Sequence, residues 1–293
     1  MEADHSKGLA SSYLRLVRPK QWTKNGFVLA GVVFAEKAFS TTQVAYALLA
    51  FAVFCALSGA VYAANDVLDV EEDRKHPLKR FRPVASGAIS PRSALAFAVV
   101  LAMAALAVGF LVLPVGVGIA GIAYLLLQVF YTTILKHTAI LDVMSISAGF
   151  VIRALAGVAA VGVAISPWLI VCTGLLTLFL GFSKRRHELA VLGDIASTHR
   201  KNLREYSVEL LDEMMNIMVS ATIIAYTMYT FFAHQDRWMM ASIPFVVYGV
   251  FRYMLLVHRD GGGNPDTLLL RDRPLQITLL LWLVVVMTVI YFV

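Results

Sequence analysis

Charge is what this sequence has least of. Lys, Arg, Asp and Glu make up 15% of its 293 residues, and 59% are hydrophobic; a soluble domain carries about 25% charged residues. That deficit excludes a soluble domain of any size and points to a chain threaded repeatedly through a bilayer. Cysteine is nearly absent. Cys55 and Cys172 both lie in apolar runs, which excludes a disulfide framework and a zinc site by spacing and leaves two small buried hydrophobes. There is no P-loop, no G-x-G-x-x-G ahead of a helix and no H-E-x-x-H, and Gly261-Gly262-Gly263 reads as a flexible loop. No surface interleaves bases with aromatics, so no nucleic acid is expected as a partner. Met1–Lys24 is polar with scattered bases and lacks a short apolar core with a small-residue cleavage site, so it is not read as a secretory signal.

Long apolar runs are plentiful. About 20 apolar residues cross a bilayer as a helix, and nine candidate spans appear: Gly26–Phe39, Val44–Ala64, Ser93–Leu113, Val115–Leu135, Ile140–Val161, Ser166–Phe182, Met214–Ala233, Met239–Val257 and Leu275–Val293. The first is short and weak. Pro114 alone separates the third from the fourth, which makes them a tight hairpin. The expected class is an all-α polytopic membrane protein with nine transmembrane helices. Short connections poor in bases (Ser40–Gln43, Pro114, Gly162–Ile165, His234–Trp238) alternate with basic ones (the N-terminus, Asn65–Arg92, Lys136–Ala139, Ser183–Glu213, His258–Pro274). Of 25 Lys and Arg residues, only Lys37 and Arg237 fall on the base-poor side. Bases accumulate in cytoplasmic loops, so the basic set is expected in the cytoplasm and the C-terminus outside.

The chemistry is concentrated where the second span ends. Asn65-Asp66-Val67-Leu68-Asp69-Val70-Glu71-Glu72-Asp73 follows an apolar run with five carboxylates in nine residues. On a helix Asp66, Asp69 and Asp73 share one face. Carboxylates held that close disfavour one another's charge, and a divalent cation relieves this. The pattern reads as a Mg²⁺ site, with Asn65 beside it, and Mg²⁺ on a few carboxylates usually takes phosphate oxygens as further ligands. A solvated acidic helix end is the plainer alternative. Lys79, Arg80 and Arg82 follow at once, either as topology determinants or as phosphate ligands. Lys24 lies in Arg18-Pro19-Lys20-Gln21-Trp22-Thr23-Lys24-Asn25, which equally suits a basic interfacial anchor. Lys184, Arg185 and Glu188 open the second long loop and, placed opposite the Asp66 cluster, would hold a second anion. Arg153 is mid-span, where a charge is costly and faces a polar cavity, or else pairs with a carboxylate such as Asp142. Tyr62 and Tyr206 are candidate hydrogen-bond donors. His76, His187 and His199 are near enough to be weighed for proton transfer.

The motif N-D-x-x-D-x-x-x-D at Asn65–Asp73 resembles the UbiA superfamily of intramembrane transferases. The resemblance implies one membrane-embedded domain over residues 1–293, nine spans, and a diphosphate substrate bound through Mg²⁺ at two acidic motifs. The strings Arg18–Asn25, Asn65–Pro83, Ile152–Gly157 and Lys184–Leu189 resemble a narrower branch. That branch transfers 5-phosphoribose from phosphoribosyl diphosphate to a polyprenyl (decaprenyl) phosphate, releasing diphosphate, toward a lipid-linked arabinose donor of envelope polysaccharides. Asp66, Asp69 and Asp73 with Asn65 would then hold Mg²⁺, and Lys24, Lys79, Arg80, Arg82, Arg153, Lys184 and Arg185 would share the phosphates. The implied place is the bacterial plasma membrane, with the site facing the cytoplasm; a homo-oligomer is left open. One departure stands out. Prenylating members carry D-x-x-x-D after the sixth span, where this chain reads Lys184-Arg185-Arg186-His187-Glu188, with Asp194 further on. That puts a second acidic metal site in doubt. A prenyltransferase acting on an aromatic or lipid acceptor is the alternative enzyme. A transporter of anionic metabolites is the alternative class, but it needs ionisable groups at several depths, and Arg153 is the main one away from the cytoplasmic face.

The topology is tested with single cysteines at Ser86 and Val293 in a chain whose Cys55 and Cys172 are alanine. An impermeant thiol reagent on intact cells is expected to label position 293 and to spare position 86; the reverse pattern overturns the map.

Overall fold

A computed structural model describes residues 8–34, 40–192, 201–232, 237–259, 268 and 271–292. Lys37, Asp194, His199, the Gly261–Gly263 run and Val293 lie outside the described residues. All regular structure among the described residues is helical: α1 Leu9–Leu16, α2 Ala30–Phe34, α3 Thr41–Leu68, α4 Val70–Lys75, α5 Pro91–Leu111, α6 Val115–Thr133, α7 Leu141–Val161, α8 Pro167–Leu192, α9 Val208–Phe232, α10 Ile243–Arg259 and α11 Arg273–Phe292, with short 3₁₀ stretches between some of them. In hydrocarbon every backbone polar group must be satisfied within its own segment, which helices achieve.

Among the described residues, eight helical segments are long and apolar enough to cross a membrane, close to the nine expected. The expected span outside that set is Gly26–Phe39, which is described only in part. Its start belongs to an 11-residue 3₁₀ stretch, Pro19–Leu29, and its middle to the five residues of α2; residues 35–39 lie outside the described set. The expected hairpin is present, with α5 and α6 joined by three residues ending in Pro114.

Two units divide the chain, one of residues 1–132 and 152–164, the other of residues 133–151 and 165–293. In the first, α3 is the central element. Ala47, Ala50, Phe54 and Leu57 recur at three- and four-residue spacing; the last three pack with Val28, Ala105, Val117, Tyr124, Ala156 and Ala160, and Ala47 packs with Val32 and Val161. Further along, Ala60 and Ala63 join Leu16, Val84, Ile89, Ala94 and Ala98. Small residues dominate because helices in lipid associate by close packing rather than by expelling water. The opposite faces of α5 and α6 expose Leu95, Val99, Met103, Val115, Ile119 and Leu126, as lipid contact requires. In the second unit Val143, Phe179, Phe182, Leu211, Met215, Tyr253 and Val257 form the core, with Phe179 edge-on to Tyr253.

The tightest approach is between the 3₁₀ stretch and α7. A Cβ on Gly157 would lie 1.8 Å from the Val28 carbonyl oxygen, and one on Gly31 would lie 2.4 Å from the Gly157 carbonyl carbon. Backbone cannot yield as a flexible side chain does. Gly157→Ala is therefore expected to destabilise by about 1–3 kcal/mol, the usual cost of overpacking. Gly174→Ala, whose Cβ would meet only Val151 at 3.9 Å, is expected to be neutral. Thermal unfolding of the two variants in detergent checks the contrast.

Candidate active site

The acidic run does not continue α3 as one unbroken helix. α3 ends at Leu68, Asp69 adopts φ −93° and ψ 10°, and α4 begins at Val70. Hydrogen bonds four residues apart persist across the break, Asp69 N to Asn65 O at 2.9 Å and Asp73 N to Asp69 O at 2.8 Å. The hydrogen-bond ladder therefore runs through the break. Asp66 and Asp73 turn inward, 1% and 2% exposed. Asp69 is only half-buried, and its side chain makes no hydrogen bond or ion pair among the described residues.

Two arginines meet the buried acids. Arg82 Nη1 lies 2.6 Å from Asp73 Oδ2 and 3.3 Å from Asp66 Oδ1, so one nitrogen serves both carboxylates. Arg18 Nη2 donates to the same Oδ1 of Asp66, and its guanidinium lies 4.8 Å above the Tyr62 ring. Asn65 accepts a 3.3 Å hydrogen bond from Thr132. Each arginine has a local reason to be where it is. Pro19 disfavours the right-handed helical region for Arg18, which takes φ 50° and ψ 66° in the left-handed region and starts the 3₁₀ stretch. Runs of 3₁₀ helix beyond three or four residues are uncommon and often mark a functional or strained segment. Arg82 sits in a loop pinned by Val84 and Ile89, which are buried against α3 and α5. Lys79 and Arg80 are exposed on the turn before it, with Arg80 stacked 4.9 Å over Phe81. Of the three downstream cations, Arg82 is the one that reaches the acids.

The expected metal cage is not closed as the side chains stand. Among the described residues, no group of three His, Cys, Asp or Glu is arranged to hold a metal ion. The physical reason is in the geometry: the guanidinium of Arg82 fills the place between Asp66 and Asp73. The donor set still suits Mg²⁺, since Asp66, Asp69, Asp73 and Asn65 offer only hard oxygens.

Deeper in the first unit lies a second polar group. Arg153, 6% exposed, donates from Nε to Asn25 Oδ1 at 2.7 Å and from Nη2 to the Tyr124 hydroxyl at 3.1 Å. Asn25 in turn donates to Ser58 Oγ at 3.1 Å and Cys55 Sγ at 3.3 Å. Ser58 precedes Asp66 by eight residues, about 12 Å along a helix, so this cluster is well inside the membrane span. Pairing of Arg153 with Asp142 is corrected: eleven residues apart on one helix they stand roughly 16 Å apart along the axis. Lys24, half-buried, sits next to Asn25 on the 3₁₀ stretch.

The second unit uses its charges internally. Arg185, expected among the phosphate ligands, is buried on α8, with Nε 2.8 Å from Asp142 Oδ2 and Nη1 on Glu188. The Nε contact with Asp142 is an ion pair by distance, while its N–H is not aimed at the oxygen. Tyr206 donates to Asp142 Oδ1 at 3.2 Å and accepts the Ile140 amide at 2.5 Å. Ile140 has φ 67°, a strained value for a β-branched residue. Burial pushes the Tyr206 hydroxyl up to about 12, so it keeps its proton and remains a donor. Lys184 and His187 are half-buried on α8, and His76 accepts the backbone amide of Leu78 at 3.1 Å. Arg186 grips Asp212 at 2.5 and 3.2 Å, and His258 approaches Asp212 at 3.2 Å.

Arg18, Asn25, Tyr124 and Asp142 were not among the expected site residues; Arg185 was, as a phosphate ligand and not as the partner of Asp142. Arg18 stands in the quoted basic string, but nothing local separates it from Lys20 or Lys24.

The UbiA prenyltransferase family model matches residues 26–284. The decaprenyl-phosphate phosphoribosyltransferase of Corynebacterium glutamicum is 32% identical over 97% of this chain and 88% of its own length. Those of Mycolicibacterium smegmatis and Mycobacterium tuberculosis are each 34% identical, over 98% and 95% of this chain and 94% of their own lengths. Among solved structures, a UbiA homolog from Archaeoglobus fulgidus bound to DMAPP and Mg²⁺ superposes with a TM-score of 0.75 at 18% identity, covering 97% of this chain and all of that one.

The Asp142–Arg185 pair generates a stability prediction. Arg185→Met leaves a fully buried carboxylate without its guanidinium and is expected to cost about 3–5 kcal/mol. Adding Asp142→Asn, which keeps an acceptor for Tyr206, is expected to restore most of the thermal midpoint. A single variant as stable as the parent would show that the pair carries no stability.

Proposed function

Because the chain belongs to the UbiA prenyltransferase family, we propose that it is the phosphoribosyl-transferring kind. It moves 5-phosphoribose from phosphoribosyl diphosphate to a polyprenyl phosphate and releases diphosphate. The observation that carries this reading is the likeness, over nearly the whole chain, to three curated phosphoribosyltransferases. The geometry supports it with two buried carboxylates and two arginines gathered where α3 ends.

Asp66, Asp69 and Asp73, with Asn65, are the residues to hold Mg²⁺. Held there, Mg²⁺ would supply neutralisation of charge on the departing diphosphate. The chain's own residues do the rest. Arg18 and Arg82 offer fork-shaped donors that match phosphate oxygens as well as carboxylates. Exposed Lys79 and Arg80 draw the polyanionic donor to the mouth. A lipid phosphate oxygen attacks the anomeric carbon, forming a new C–O bond, and the bond to diphosphate breaks with its electron pair leaving on the diphosphate oxygen. The attacking phosphate is already ionised, so the step needs no general base. The location that follows is the bacterial plasma membrane, with this mouth on the cytoplasmic side, where a sugar diphosphate is made.

Membranes containing the chain, given radiolabelled phosphoribosyl diphosphate, Mg²⁺ and decaprenyl phosphate, are expected to yield labelled lipid. EDTA is expected to abolish the label, and Asp66→Asn or Asp73→Asn to reduce it at least 100-fold. Binding of geranylgeranyl diphosphate by the purified protein, with none of phosphoribosyl diphosphate, would instead favour prenyl transfer.

A further inference from the structure

We infer that Arg18 and Arg82 are exchangeable counter-ions, which neutralise Asp66 and Asp73 while the site is empty of substrate and move to the diphosphate when it arrives with its metal. The inference rests on the diphosphate chemistry proposed above and says how that ligand is admitted.

The two buried carboxylates and the two guanidiniums balance one another, and half-buried Asp69 adds one further negative charge. A divalent cation entering alone would bring two positive charges into a place that already holds two, between acids that are 1% and 2% exposed. It would also have to displace Arg82, whose Nη1 bridges Asp66 and Asp73. A displaced guanidinium beside a new cation has lost its partner and gained a repulsion. A diphosphate changes both terms: it carries more negative charge than one divalent ion cancels, and its oxygens accept the same fork of donors that the carboxylates release. Both arginine side chains are 27% exposed while the acids beneath are nearly closed off, so they stand on the solvent side of the carboxylates, where a ligand arrives first. Arg18 strengthens the case. It holds a left-handed backbone conformation, disfavoured for a residue with a Cβ, and a guanidinium stacked on the Tyr62 ring 4.8 Å away keeps one contact when it lets go of Asp66. Metal and diphosphate are thus coupled: each raises the affinity for the other by the same factor.

The test is equilibrium dialysis of the purified full chain in detergent against Mn²⁺ at fixed free concentration, with and without inorganic diphosphate. No phosphoribosyl compound is present, so the result is independent of the donor's identity and of the lipid-labelling assay. The wild type is expected to bind Mn²⁺ at least tenfold more tightly with diphosphate than without. Arg82→Met is expected to bind Mn²⁺ alone about tenfold more tightly than the wild type, and to lose most of the diphosphate enhancement. Arg82→Lys, a point charge without the fork, is expected to fall between them. Arg18→Met, which removes the other cation from Asp66, carries the same expectation if Arg82→Met does not fold. The inference is overturned if a folded variant binds Mn²⁺ alone no better than the wild type, if diphosphate leaves wild-type Mn²⁺ binding unchanged, or if no sample binds Mn²⁺.

Discussion

A carboxylate at the end of an apolar helix must be given a cation, and the organisation of the first unit follows from that demand. Asp66 closes an α3 otherwise buried among alanine, valine, leucine and phenylalanine. Solvent reaches almost none of it, so its charge is compensated by protein groups. The compensation comes from two directions in sequence: Arg18 from 48 residues before and Arg82 from 16 residues after. Bringing them there fixes the N-terminal segment against α3 and folds the Asn65–Arg92 connection back on itself. Val84 and Ile89 then bury against the same helices and hold the loop in place.

The same logic recurs at other polar positions, with different chemistry. Arg153 is met by an amide, a phenol and the face of an aromatic ring, 4.6 Å from its guanidinium. Arg185 is met by two carboxylates and Arg252 by Asp272 at 2.8 and 3.2 Å. Asp272 also accepts the Leu275 amide at 2.9 Å, one residue pair thereby closing the start of α11. These hydrogen bonds and the coulombic pull of Arg252 hold the Asp272 carboxyl below the usual carboxylate range.

Much of this was legible from residue order alone. Apolar runs gave the helices, Pro114 the hairpin, and the abrupt change from Ala64 to Asp66 the place where buried carboxylates and arginines gather. The break at Asp69 was not legible, because Asp66, Asp69 and Asp73 satisfy helical spacing whether or not the middle one leaves helical dihedrals. Partner choice was not legible either. Arg153 announced itself as a buried charge, but Asn25 lies 128 residues away, and sequence proximity suggested Asp142 on the same helix. The 3₁₀ form at the start of the first expected span was not legible either: Arg18 and Asn25 each have a partner on α3 or α7, and a 3₁₀ path reaches both. At about 2 Å rise per residue it covers more distance than an α-helix of equal length.

The α5–α6 hairpin has a consequence for the lipid. At 1.5 Å per residue its arms measure about 31 and 28 Å, close to the roughly 30 Å of hydrocarbon in an average bilayer. A three-residue turn leaves no slack at one end, so the arms meet a thicker or thinner membrane by leaning together. The other end of α5 is capped by Ser90, whose hydroxyl accepts the Ser93 amide at 3.1 Å, directly after the loop that carries Arg82. The connection that carries Arg82 thus ends directly on one arm of a hairpin whose length matches the hydrocarbon it would cross.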